Sequence, residues 1–418
     1  MSIFCFLISF LILLSCFFKD ADVFSPARVF GFVWFSSIGL TDLKLSRLQH
    51  QWSAYSWFVI SLAVGSFLIG AFVIFVVANR REHLSIREIR LRAGSIRILE
   101  DRFFLAILVL SFLYFVSLMI ETYAAGGLPI FSSTPEKARI AFGVFGFHLF
   151  VGGIPAVLFL IMEYYILVPG NRMKKAFLAI LFAALAGSFF FLLVRFTYVM
   201  TIALMFGAAY YMSNGLRVKN VIVVLVIVGA MFTIALQVRE AKYVENYLYV
   251  ISQMRYSKTF ASLTGPYMYV VMNLENVTRV VDRIDSFTFG YYTFDFILAL
   301  TGLKHWLADY FRISSNIYLT SGYNTFPFFF YYLQDFGILG VTLFPFGLGV
   351  ASWVIYHRMR TMPTLNAIAL YAFCFYAMVI SFFTNPLTML IFAFVVAAVL
   401  FVHLLITPKA TRFEQSHG

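Results

Sequence analysis

Few side chains in this chain can do chemistry, and most of them are arginines. Arg139, Arg195, Arg239, Arg255, Arg279 and Arg312 fall at or between the ends of apolar runs. The planar fork of arginine binds phosphate oxygens in pairs and keeps its charge, so each could hold a phosphate. Each could equally be a helix-end arginine reaching for the membrane surface, or half of a surface ion pair. Arg195 is the best placed, at a hairpin between two apolar runs. Two groups could accept a proton. His305 lies in Leu303-Lys304-His305-Trp306, and Asp335 at the mouth of an apolar run. A carboxylate at such a boundary needs a partner or water, so Asp335 is either a base or an acceptor for a sugar hydroxyl. A lone loop histidine such as His305 is either catalytic or simply solvated.

The elements that must position these residues follow from composition. Of 418 residues, 62% are hydrophobic and only 12% charged, with 52 Phe and a mean hydropathy of +0.88. That excludes a soluble globule, a disordered chain and a collagen-like fibre. Cys5, Cys16 and Cys374 all lie in apolar runs, where a thiol acts as a small hydrophobe, so no disulfide framework is expected. A spanning helix needs about 20 apolar residues. The sequence predicts an all-α, polytopic membrane protein with eleven spans, at 2–18, 26–41, 53–79, 103–124, 141–168, 176–194, 196–213, 220–238, 328–356, 364–384 and 387–407. The second is weak, diluted by Gly31, Ser36, Ser37 and Gly39. Residues 1–18 lack the basic start of a secretory signal and read as an uncleaved first helix. Residues 1–418 thus read as one membrane domain.

Orientation comes from the basic residues of short loops, which stay inside. The loop 80–102 carries seven arginines and must be internal. Counting spans outward puts loops 19–28, 169–175, 214–219 and 357–363 and the tail on the same side. Eighteen basic residues then lie inside, against thirteen outside. The net charge of +12 therefore reads as topology, with no nucleic-acid partner implied.

Residues 239–327 form the one long connection, and the frame puts it outside. Its eight basic and seven acidic residues nearly cancel, and Tyr247, Tyr249, Tyr256, Tyr267, Tyr269, Tyr291, Tyr292 and Phe294 recur along it. A long structureless loop is improbable, so short amphipathic helices at the outer leaflet are expected. Breaks are expected at Thr264-Gly265-Pro266 and Thr288-Phe289-Gly290. The aromatic rings suit interfacial anchoring or, with nearby amides and carboxylates, a sugar.

Tyr323-Asn324-Thr325-Phe326-Pro327 runs on into Tyr332-Leu333-Gln334-Asp335-Phe336-Gly337-Ile338-Leu339-Gly340. This pair of stretches resembles the late signature of the O-antigen polymerases, or oligosaccharide repeat-unit polymerases. Glu136-Lys137-Ala138-Arg139-Ile140-Ala141-Phe142-Gly143, Arg195-Phe196-Thr197 and Phe289-Gly290-Tyr291-Tyr292-Thr293-Phe294 look similar to other parts of that family, in its order. Leu193 and Val194 stand where the family usually has a small residue and Gly before the arginine.

The resemblance implies a glycosyltransferase fold of the multi-spanning C class in the bacterial inner membrane, with its site facing the periplasm under residues 239–327. It implies transfer of a growing glycan from undecaprenyl pyrophosphate to an incoming lipid-linked repeat unit, building a surface polysaccharide. A chain-length regulator would be the partner. Such a reaction needs cations to hold the departing pyrophosphate and a base for the acceptor hydroxyl. The six arginines, with Tyr323 and Asn324, are then substrate-binding residues, and His305 and Asp335 the candidate bases. No cofactor is implied. The first external loop lacks the paired acids of metal-dependent members of this fold class, Asp42 standing alone there, so a metal-independent reaction is expected. A glycan ligase using lipid A core as acceptor would share fold and leaving group. A transporter or flippase of lipid-linked sugar is the alternative from another class, but transporters tend to show inverted repeats and midplane binding groups, and no repeat is visible.

Overall fold

A computed structural model describes residues 1–18, 21–78, 83–213, 243–284, 286–304, 306–307 and 323–408. The expected span at 220–238, together with Arg239, His305 and Arg312, lies outside the described residues. The described residues are helical, with one isolated antiparallel bridge from Ser46 to Met254. In chain order the helices are α1 (Ser2–Ser15), α2 (Pro26–Asp42), α3 (Ala54–Ala78), α4 (Ile86–Gly94), α5 (Glu100–Ala124), α6 (Pro135–Ala141), α7 (His148–Gly152) and α8 (Ile154–Leu167). There follow α9 (Arg172–Phe190), α10 (Arg195–Met212), α11 (Tyr243–Ile251), α12 (Thr264–Val280), α13 (Asp295–Thr301), α14 (Phe330–Thr361), α15 (Leu365–Ile380) and α16 (Leu390–Ile406). By length and composition α3, α5, α9 and α14 could each cross a membrane, while α1, α8, α10, α15 and α16 are shorter apolar helices. Phe58, Ile69, Phe72 and Val76 of α3 are more than half exposed. A long helix with bulky apolar side chains turned outward suits lipid, not water.

The chain forms two compact units, each discontinuous in sequence. The first comprises 1–82, 241–357 and 377–390. Its core gathers around Phe30 and Trp34 of α2, which are 1% and 0% exposed. Phe30 stacks on Phe67 at 3.7 Å, and Trp34 Nε1 donates to Ser381 Oγ at 2.8 Å. The residues that weakened α2 as a span are what lets α1 close on it: a Cβ on Gly31 would meet Ile12, and one on Gly39 the Phe6 ring. A second close crossing joins α3 to α14, where a Cβ on Gly70 would run into the Phe346 carbonyl and one on Gly349 into that of Phe67. Small residues at helix crossings are how membrane helices gain contact without a hydrophobic driving force.

The apolar run expected as one span at 328–356 is not one straight helix. Gly337 has φ 60° and ψ −143°, a region open essentially to glycine alone. The chain doubles back there. Tyr332 consequently stacks on Phe344 at 4.7 Å, and a Cβ on Gly340 would strike the Tyr332 carbonyl. Residues 338–361 alone still rise about 36 Å, enough to span.

The second unit comprises 83–240, 358–376 and 391–418. Helix α8 is its centre, with Ile154, Leu158, Phe159, Leu160, Ile161 and Tyr164 all at most 2% exposed. The span expected at 141–168 is broken into α7 and α8 at Gly153. A Cβ at Gly152 or Gly153 would strike Ile391 or Phe394 of α16, so this break is where α16 packs. Glu163 pairs with His403, whose Nε2 lies 2.7 Å from Glu163 Oε2, both side chains being fully buried. His403 Nδ1 lies 3.1 Å from Asn366 Oδ1. A buried carboxylate takes the nearest partner in space, and α16 brings one from 240 residues away.

Within each unit, hydrogen bonds join loops expected on the same side. In the second unit, Leu84 and Arg360 bond reciprocally through Leu84 N–H to the Arg360 carbonyl at 2.9 Å and Arg360 Nε to the Leu84 carbonyl at 3.0 Å. Lys174 donates to Glu100 at 3.0 Å and Asp101 at 2.7 Å, and Leu99 N–H to the Ile406 carbonyl at 2.9 Å. All these segments belong to the arginine-rich side. In the first unit, Tyr356, near the end of α14, donates to buried Asp22 of the 19–28 loop at 2.9 Å.

Candidate functional site

The polar residues of the first unit gather around α12. Its sequence alternates apolar residues that fill the core (Met268, Val271, Met272, Val277) with Asn273, Glu275, Asn276 and Thr278, every one of them buried. Buried polar groups need partners, and these find them in two segments far away in sequence. Asn276 Nδ2 donates to the carbonyls of Tyr323 at 3.1 Å and Thr325 at 3.0 Å. Asn273 Oδ1 accepts from the Thr325 hydroxyl. The Tyr323 hydroxyl pairs with Ser252 Oγ at 2.8 Å. Helix α12 thereby fixes the Tyr323-Asn324-Thr325 stretch and leaves Asn324 exposed.

On its other side α12 holds the segment that follows α2. Glu275 is completely buried, and Lys44 Nζ lies 2.6 Å from its Oε1. Trp52 Nε1 donates to the same oxygen at 3.0 Å, and Lys44 also sits 4.4 Å above the Trp52 ring. The other oxygen accepts from His50 N–H at 3.3 Å. His50 Nδ1 lies 2.9 Å from it, at ion-pair distance though not aligned as a hydrogen bond. Burial pushes the Glu275 carboxyl up, but the contacts from His50 and Lys44 outweigh it and leave the group below its ordinary value. Tyr267 accepts from Leu45 N–H at 3.1 Å and donates to Gln49 Oε1 at 2.7 Å. Burial pushes its hydroxyl up to about 12.

The same segment collects cations. The Ser46–Met254 bridge is flanked by Arg47 N–H to the Gln253 carbonyl at 3.0 Å and Arg255 N–H to the Leu45 carbonyl at 2.8 Å. Arg47 and Arg255 are exposed, and Arg279, partly buried, donates to the Leu48 carbonyl. Lys44, Arg47, Arg255 and Arg279 thus surround residues 44–50.

Asp335 lies in the arm of α14 before the Gly337 reversal and is fully buried. Both its oxygens are engaged. Oδ1 accepts from the Thr288 hydroxyl and from Tyr292 N–H at 3.3 Å, and Oδ2 from Thr293 N–H at 2.6 Å. Thr288 and Phe289 N–H donate to the carbonyls of Gln334 at 3.3 Å and Asp335 at 3.2 Å. Phe289 and Gly290, with φ of 45° and 100°, turn the chain here, so the expected break at Thr288-Phe289-Gly290 is a turn clasped by Asp335. The other expected break, Thr264-Gly265-Pro266, is the first turn of α12, where proline is tolerated because its missing N–H has no helical partner.

Arg139 and Arg195 belong to the second unit. Arg139 is partly buried in α6, and Arg195 is the first residue of α10. The Glu136–Gly143 stretch ends against His148, whose Nδ1 lies 3.2 Å from each oxygen of the fully buried Glu121. Of the expected site residues, the first unit brings Arg255, Arg279, Tyr323 and Asn324 around α12, and ties Asp335 into the chain that continues from Tyr323. Lys44, Arg47, His50 and Trp52 were not expected. Their signal was the crowding of Asp42, Lys44, Arg47, Gln49, His50 and Gln51 into one short loop of an otherwise apolar chain. Among the described residues no three His, Cys, Asp or Glu side chains form a metal-binding group. Comparison of the chain with known protein families, curated proteins and solved structures finds no match in any of the three.

Proposed function

We propose that the chain is a glycan polymerase of the bacterial inner membrane, with eleven spans and a glycosyltransferase C-type architecture. It joins undecaprenyl-pyrophosphate-linked repeat units on the periplasmic face, without a metal or cofactor, and works beside a chain-length regulator. One observation carries the reading. The stretches that resemble the polymerase signature, 289–294, 323–327 and 332–340, lie in one unit, where Asp335 accepts from Tyr292 and Thr293 N–H while Asn273 and Asn276 of α12 hold Tyr323 and Thr325. Arg255 and Arg279 flank the same α12 region, with Arg47 and Lys44, and supply the positive charge a departing pyrophosphate requires. Arg139, Arg195, Arg239 and Arg312 are proposed, from the sequence resemblance, to bind substrate as well.

Expression in cells that make a lipid-linked repeat unit but lack their own polymerase tests the reading. A ladder of polymer lengths on a gel is the expected result. Single repeat units attached to lipid A core would mean a ligase. Outward movement of lipid-linked sugar with no new glycosidic bond would mean a transporter.

A further inference from the structure

We propose that His50 is the general base of the transfer and that Glu275 orients it. The proposal rests on the polymerase reading above and adds a catalytic group to it. Glu275 is wholly buried and lies against His50 twice: its Oε2 sits at ion-pair distance from Nδ1 (2.9 Å) and accepts from the backbone N–H (3.3 Å). His50 Nδ1 is itself buried while the side chain is 40% exposed. The edge turned to solvent is therefore the one that carries Nε2. A carboxylate at ion-pair distance from Nδ1, with Nε2 presented outward, is an arrangement in which a histidine can take a proton and have the resulting charge stabilised.

Lys44 decides which histidine suits the task. It lies 2.6 Å from Glu275 and already supplies the countercharge that the buried carboxylate needs. The second unit holds a comparable pair, Glu121 and His148. Among the described contacts, Glu121 accepts otherwise only from Val144 N–H, at 3.2 Å, with no lysine or arginine among them. The other charged groups around His50 are Arg279, anchored on the Leu48 carbonyl two residues away, and Asp282, whose carboxylate is 3.4 Å from Ser53 Oγ. Arg47 on the same short loop, with Arg255 and Arg279 bonded to that loop's backbone carbonyls, puts phosphate-binding groups beside the base. An acceptor hydroxyl and the anomeric carbon of a lipid pyrophosphate must meet within such a span.

In the step, the acceptor hydroxyl oxygen attacks the anomeric carbon of the donor glycan. A carbon–oxygen bond forms to the acceptor as the carbon–oxygen bond to the pyrophosphate breaks. The hydroxyl proton passes to His50 Nε2, and the electron pair of the broken bond leaves on undecaprenyl pyrophosphate. The imidazolium then returns its proton to solvent.

The test is a single-turnover assay of purified protein in lipid nanodiscs with an undecaprenyl-pyrophosphate-linked repeat unit. His50→Ala should slow bond formation by about 10²–10⁴-fold while binding of that lipid changes less than about threefold. Added imidazole should restore part of the rate, more so for more basic imidazoles, because a diffusing base replaces the missing one. Glu275→Gln should also slow the step, without rescue. Full activity in His50→Ala overturns the proposal. So does a loss in His50→Ala that tracks lost lipid binding and resists imidazole, which would make His50 a structural tether of the loop. Imidazole rescue of His148→Ala in place of His50→Ala overturns it too. An inactive wild type refutes the polymerase reading and the base with it, whereas an active wild type with an undiminished His50→Ala refutes the base alone.

Discussion

Replacing Asp335 with alanine should loosen the 288–293 turn before it affects any proton transfer. Three donors converge on this carboxylate: the Thr288 hydroxyl, Tyr292 N–H at 3.3 Å and Thr293 N–H at 2.6 Å. Thr288 and Thr293 are buried, so water cannot replace the lost acceptor. A buried donor left without a partner costs about 1–3 kcal/mol, and the Tyr292 bond is long enough to count for little. Asp335→Ala should therefore cost about 2–6 kcal/mol. Asparagine is milder. Its carbonyl can accept from Thr293 while its amide donates to the Thr288 hydroxyl, which leaves only the weak Tyr292 bond and the charge missing, about 1–3 kcal/mol. Thermal unfolding in one detergent, with polymer measured per folded protein, separates anchoring from chemistry. The expected order of stability is wild type, Asp335→Asn, Asp335→Ala, with the alanine variant melting on the order of 10 °C lower. Folded Asp335→Asn should keep its polymer output within a few-fold. If Asp335→Asn melts like wild type yet makes no polymer, the carboxylate is a base and the anchoring argument is wrong.

Other expectations are as direct. Gly337→Ala combines a φ near +60° with a Cβ placed 2.8 Å from the Phe287 ring, so it should destabilise by about 2–5 kcal/mol, read by the same melting assay. Glu275 is held below its ordinary carboxyl value. The unfolded chain therefore binds its proton more readily than the folded one, and the stabilisation is present above the unfolded value of 4.5 and lost as pH falls through the lower folded one. Acid should accordingly loosen the 44–53 segment, a change read by Trp52 fluorescence and abolished in Glu275→Gln. Losing one charge-assisted contact to a phosphate costs about 1.5–3 kcal/mol, or roughly ten- to more than a hundredfold in rate. Arg195→Ala should thus nearly abolish polymer and Arg195→Lys retain a little. Arg139→Ala and Arg239→Ala should be impaired, and Arg97→Ala on the opposite side near normal, on ladders at matched protein levels.

How much the sequence revealed depends on what hydropathy can detect. Most helices were legible because an apolar run of span length has few other uses. The reversal at Gly337 was not legible, because residues on both sides of it are equally apolar and the bend lies in one backbone conformation. The break at Gly153 was hidden for the same reason: only the arrival of Phe394 shows why a glycine is needed there. The pairing of Glu163 was not legible, because its histidine is 240 residues away. Lys44, His50 and Trp52 were missed because the carboxylate that organises them is more than 220 residues along the chain. Asp335 was noticed as a lone acid at a membrane boundary, but its partners, at 288–293, lie 42 to 47 residues back.

The central claim is that the chain moves a glycan off a lipid pyrophosphate. Purified protein in nanodiscs, given only undecaprenyl-pyrophosphate-linked repeat units, tests it by counting free undecaprenyl pyrophosphate against new glycosidic bonds. One lipid pyrophosphate should be released for each bond formed, as products of increasing length accumulate. Repeat units that stay intact on their lipids, with neither product appearing in a correctly folded preparation, would contradict the account.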